Sequence, residues 1–98
     1  MSKAITMQFI GFESKRLVRE YMFTVRESSA KPRDFILTIS NESFDTHRVR
    51  YQDAPDVCSR RLQRELASHA NHPPETHFYI TDIELDDYRA HRTSQTKL

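Results

Sequence analysis

A single glycine, Gly11, stands in the whole 98-residue chain. Phosphate cradles of the P-loop and dinucleotide-binding types need several glycines, because their backbone must approach the phosphates closely or turn through positive φ. Neither can be built here. The chain must fold from ordinary strands, helices and polar turns, and its function must be sought on its surfaces.

A chain of this length forms one domain with a modest core and little room for a deep cavity. We read residues 1–92 as that domain and 93–98 as a polar, fraying tail. Hydrophobic residues make up 37% of the sequence, which is enough apolar material to fold. No apolar run approaches the roughly 18–20 residues of a membrane span. Met1–Ala4 lead straight into Ile5–Ile10, too short and too alternating for a signal peptide. The lone Cys58 cannot form an internal disulfide. The expectation is a cytoplasmic protein without membrane contact.

Period-two alternation predicts four strands in the N-terminal half. Ile5–Phe12 sets Ile5, Met7 and Phe9 on one face and Thr6, Gln8, Ile10 and Phe12 on the other. Arg16–Arg26 groups Leu17, Tyr21, Phe23 and Val25 against Val18, Glu20, Met22 and Thr24, and the polar residues Glu13–Lys15 make the two a hairpin. Asp34–Ser40 follows a Ser/Pro loop. Thr46–Gln52 has the cleanest alternation, with His47, Val49 and Tyr51 inward and Arg48 and Arg50 outward.

The period then changes. Val57, Cys58, Leu62, Leu66 and Ala70 recur at helical spacing after Asp53 and Pro55, a capping residue and a first-turn proline, and Pro73-Pro74 ends the run. This predicts a helix over Asp53–Ala70. Thr76–Thr81 reads as a fifth strand. Thr81 and Glu84 have capping-box spacing, which predicts a short helix to about Arg89. The competing reading carries the strand on through Ile83 and Leu85. The fold class is α+β: an antiparallel sheet of four to five strands with one main helix packed on one face and a short C-terminal helix.

Charge is unevenly placed although the net is only +1. Residues 14–64 hold eleven Lys/Arg and seven Asp/Glu, whereas residues 65–88 hold six acids and no Lys or Arg. Eleven of the fifteen cations are arginine, which suits planar contact with phosphate or carboxylate, and which a GC-rich coding sequence also favours. If strand Thr46–Gln52 adjoins the helix, Arg48, Arg50, Arg60, Arg61 and Arg64 form one basic surface that can bind a partner. The interleaved Asp45, Asp53, Asp56 and Glu65 lower its field and allow a plain salt-bridged face instead. The acidic segment Asp82–Asp87 could also meet these arginines within one molecule or between copies.

A second surface comes from the sheet. One helix covers one face, leaving Ile10, Phe12, Val18, Met22 and Ile36 on the other, where a protein partner or a second copy would cover them. Curling of the sheet, or a returning terminal helix, would bury them within the chain.

Other constellations are weaker. His69, His72 and His77 lie close in sequence, but the one thiol that would complete a zinc site is nearly three turns up the helix on its apolar stripe. There Cys58 reads as a core residue rather than as a nucleophile for His47 or His77. The acids Asp82, Glu84, Asp86 and Asp87 lack the glycine and spacing of a calcium loop. No catalytic residue, metal or cofactor is assigned. The expected function is a small cytosolic interaction or regulatory domain without catalytic activity, acting through the sheet face and the arginine-lined helix. Phosphate-backbone binding to nucleic acid by the same arginines is the alternative, and a small enzyme is third.

Overall fold

Alternation in the N-terminal half folds it into a meander. In the computed structural model, which describes residues 5–28 and 31–96, strand β1 (Ile5–Ser14) pairs antiparallel with β2 (Val18–Glu27), and β2 pairs antiparallel with β3 (Arg33–Ser40). Lys15 N–H donates to Val18 O at 2.8 Å and closes the first turn. Tyr21 and Phe23 of β2 stand opposite Leu37 and Phe35 of β3, on the face that becomes the core.

One irregularity in β1 changes which side chains share a face. Phe9 pairs with Phe23 and Gly11 with Met22, so Ile10 is an extra residue and the strand bulges there. Gly11 sits at φ 157°, a conformation that L side chains rarely adopt. A one-residue insertion reverses every later side chain. Phe12 therefore lies opposite Tyr21, on the core side, and not on the Ile10 face that strict alternation predicts.

The expected strand Thr46–Gln52 does not form. Ser40 Oγ accepts from Ser43 N–H at 3.3 Å and starts helix α1 (Asn41–Asp45). The Ser43 carbonyl then takes both Arg48 N–H and Val49 N–H, at 2.9 and 3.2 Å, and His47 turns through φ 60°. These bonds curl the chain where a ladder would have extended it. Phe44 and Val49 are buried, and Tyr51 stacks on Phe44 with ring centres 4.5 Å apart.

Helix α2 (Ala54–Ser68) buries Val57, Cys58, Leu62 and Leu66 of the predicted stripe, while Ala70, its expected last member, falls beyond the helix end and is exposed. Asp53 occupies the cap position without making the side-chain cap bond. The helix ends as Asn71 N–H bonds to Leu66 O at 2.7 Å and Ala70 and Asn71 take positive φ. The chain next enters β4 (His77–Tyr79), which pairs parallel with β3. The sheet is thus mixed, mostly antiparallel, in the order β1-β2-β3-β4.

Helix α3 (Asp82–Thr96) starts with the expected reciprocal capping box: Glu84 N–H donates to Thr81 Oγ1 at 3.1 Å, and Thr81 N–H donates to Glu84 Oε2 at 2.9 Å. The helical reading of this segment holds over the strand reading. The helix runs past Arg89 into the stretch read as a tail, and residues 97–98 lie outside those described.

Both long helices lie on the core side of the sheet, α2 over β3 and α3 against α2. Phe35, Leu37, Ile39 and Leu62 are wholly buried between sheet and helices. Each such side chain contributes about 1.5–3 kcal/mol of burial. Among the described residues no helix is long and apolar enough to cross a membrane. The arrangement leaves β1, the outermost strand, beyond the reach of most of the helical layer.

Candidate functional site

The arginines singled out by sequence are held mainly by acids of the same chain. Arg61, on the inner flank of α2, donates to Glu65 Oε2 at 2.8 Å, to Glu84 Oε2 at 2.6 Å and to the Tyr79 carbonyl at 3.1 Å. Arg64 donates to the other Glu84 oxygen at 2.6 Å. Arg60 pairs with Asp56 at 3.3 Å and lies over the Tyr88 ring. Arg48 grips Asp86 with both oxygens within 2.9 Å, and its Nε lies 3.9 Å from Asp82. The two charged halves of the chain thus meet within one molecule, as one of the readings anticipated. Arg50 is exposed and makes no ion pair among the described residues.

Glu84 is the hub of this corner. Its side chain is only 14% exposed and joins α3 to α2 through two guanidinium groups while also capping its own helix. A shallow cleft of about 280 Å³ beside it is lined by Arg60, Arg64, Glu84 and Asp87, with Val57, Tyr88 and His91. Opposite charges line it in equal number, which gives it no strong preference for either sign of ligand.

The histidines part company. His69 Nδ1 lies 3.0 Å from the Glu65 carbonyl, His72 Nε2 3.3 Å from Glu27, and His77 Nε2 2.7 Å from Thr38 Oγ1. No group of three metal-ligating side chains exists among the described residues. Cys58 is wholly buried, and burial, aided by the Glu84 charge, pushes its thiol far above the ordinary value. A thiol held protonated is a poor nucleophile.

The apolar set divides between the two faces. Met22 and Ile36 pair across β2 and β3 on the open face, half-buried, with Val18 further along β2. Ile10 is the extra residue of the bulge and is 57% exposed. Phe12 is on the other face, 52% exposed, with Phe9 beside it at 41%.

That other face carries a continuous apolar strip along β1. At one end Ile5 and Met7 line a groove of about 490 Å³ whose wall is Leu66, Ala67, Gln63 and Asn71 of α2 and the turn after it. Phe9 and Phe12 continue it past the end of the helical cover, their rings tilted against those of Tyr21 and Phe23 at ring-centre distances of 5.2–6.2 Å. Arg19 closes the far end, with its guanidinium 4.3 Å from the Phe12 ring centre and 4.5 Å from that of Tyr51. No carboxylate pairs with Arg19 among the described residues. Burial raises the pKa of the Tyr21 hydroxyl beneath, and the Arg19 guanidinium beside it pulls it part of the way back.

Phe9, Tyr51 and Arg19 were not among the residues singled out by sequence. Alternation assigned Phe9 and Tyr51 to a buried face, and only the position of α2 leaves Phe9 uncovered. The available signal was Gly11, since a lone glycine inside a strand pattern marks a bulge. No family model, curated protein or solved structure matches the chain.

Proposed function

We propose that this protein is a non-catalytic interaction domain that docks a partner along β1, through the apolar strip and the open edge of the sheet. One observation carries the reading: Phe9 and Phe12 stand 41% and 52% exposed on a strand that, among the described residues, is hydrogen-bonded on one side only. Contiguous exposed aromatics and an unpaired edge are the two surface features that a partner strand covers at once. Ion pairing of Arg48, Arg60, Arg61 and Arg64 within the chain lends weight to the apolar surface over the basic one. The buried, protonated thiol of Cys58 supports a role without nucleophilic chemistry and fits a reducing, cytoplasmic setting.

The test is an NMR titration of labelled protein with a panel of uncharged, extended apolar peptides and, separately, with an oligonucleotide pool at low and physiological salt. Peptide-induced shifts along Ile5–Phe12 and at Tyr51, unchanged by salt, are the expected result. Shifts caused only by the oligonucleotides, confined to Arg50 and the Arg60–Arg64 turn and fading with salt, overturn the reading and put phosphate-backbone binding in its place.

A further inference from the structure

Edge strands in natural proteins are blunted, by shortness, by lysines and other charges, or by proline, because an unpaired row of N–H and C=O groups templates association. The two edges of this sheet differ in that respect. β4 has three residues, and Thr81 and the capped start of α3 follow it at once. β1 has ten, and none of Ile5–Phe12 is charged or proline. In a chain with 30% charged residues, Ala4–Phe12 runs nine residues without Lys, Arg, Asp or Glu, a length matched only by Leu66–Pro74 at the end of α2 and in the turn after it.

We infer that β1 pairs antiparallel with β1 of a second copy of this chain, joining two four-stranded sheets into one across a two-fold axis; the inference rests on the interaction reading above and names its partner. Absence of charge is what selects the second copy. In isologous antiparallel pairing residue i of one copy meets residue j of the other and j meets i, so a residue at the axis meets itself, and a charged residue there would face its like, at a cost. An edge shaped for a different partner has no such restriction and would gain specificity from charge. β1 is neutral over the whole of the stretch that must approach itself, and its first charge, Glu13, comes after the bulge.

The faces also match. Antiparallel pairing in one continuous sheet needs a two-fold axis normal to the sheet, which brings the helical layers of both copies to the same side. Ile5, Met7 and Phe9 of the two copies then adjoin on that side, in the gap that α2 leaves open over β1. The bulge turns Phe12 to that same side, so both exposed aromatics contribute to one seam. The regular segment Ile5–Phe9 forms the ladder, and the opposite side of the ladder carries only Thr6 and Gln8.

Thr6 and Gln8 are exposed and uncharged, and a register centred on Thr6, Met7 or Gln8 sets at least one of them directly opposite Thr6 or Gln8 of the other copy. The test therefore uses two double variants of the full chain, Thr6→Lys/Gln8→Lys and Thr6→Glu/Gln8→Glu, with sedimentation equilibrium as the readout. Wild-type protein is expected to dimerise. Each variant alone is expected to dissociate with a dissociation constant about tenfold or more higher, and an equimolar mixture is expected to associate again as a heterodimer. Hydrogen exchange of the wild type supplies a readout free of substitutions: slowing of β1 amides with rising protein concentration, and of no other strand, is expected.

Wild-type protein that stays monomeric while uncharged peptides still shift β1 overturns the second copy and leaves the interaction reading in place. A dimer that neither double variant weakens, with exchange slowed elsewhere, overturns both.

Discussion

At one edge of the sheet three residues of β4 lie beside β3, and at the other ten residues of β1 lie open along their outer side. The short edge is surrounded by charge: Arg61 reaches the Tyr79 carbonyl, Glu84 and Glu65, and Glu84 also holds Arg64 and caps α3. The long edge has no ion pair along Ile5–Phe12, and its side chains there are apolar, aromatic or neutral. The chain thus spends its polar contacts where the ladder is weakest and leaves its strongest ladder free. Charge at β4 orients and secures; its lack at β1 keeps that edge available.

The comparison breaks most directly at Glu84. Glu84→Ala removes the partner of two arginines and half of a capping box, and is expected to lower the unfolding free energy by about 3 kcal/mol in a urea titration. A loss below about 1 kcal/mol would mean that charge does not secure this edge. Gly11→Ala, at the bulge in the other edge, is expected to cost about 2 kcal/mol, because φ 157° strains any L side chain although open space surrounds the site.

Alkaline pH separates the buried interior from both edges. The thiol of Cys58 is pushed up from its ordinary value of 9.0 by burial first and by Glu84 second. Its contribution is fully present below pH 9.0 and is lost as pH rises, because the unfolded thiol ionises there while the folded one does not. Stability should fall by about 1.4 kcal/mol per pH unit from this group, and Tyr21 adds a loss of the same sign above its ordinary value of 10.0. Cys58→Ala should flatten the pH dependence of the urea midpoint by that one proton, whatever the substitution does to stability at neutral pH. The smallest expected effect is that of Phe12→Ser. At dilutions where no partner is bound, it loses the stacking of Arg19 and about 0.5–1 kcal/mol, read from the same titration.

What the sequence made legible follows the range of the interactions responsible. The α2 stripe and the Thr81/Glu84 box are set within a few residues, and both appear where their spacing places them. The alternation of His47, Val49 and Tyr51 is equally local and misleads, because Ser40 and the Ser43 carbonyl start a helix and a turn just ahead of it. Pairing of β4 in parallel with β3 depends on residues about forty positions apart, Ile36 with His77, and no local pattern carries it. At the candidate site, the neutrality of β1 can be read directly from the letters. The exposure of Phe9 cannot, since it follows from where α2 comes to rest, and the side taken by Phe12 turns on one extra residue.

The parallel pairing of β4 has a consequence for how the molecule comes apart. β1, β2 and β3 join through neighbours in sequence, whereas β4 must close a loop containing two helices before it gains its few hydrogen bonds. It is the strand to dock last in folding and to open first in a partial unfolding. Each such opening bares Phe35–Ile39, five successive apolar or threonine residues with the β-propensity, length and lack of charge of an aggregation-prone segment. The Glu84 corner therefore acts as a gatekeeper: by holding α3 and β4 in place it keeps this strand from becoming a second open edge, one that would join copies without limit where β1 joins two.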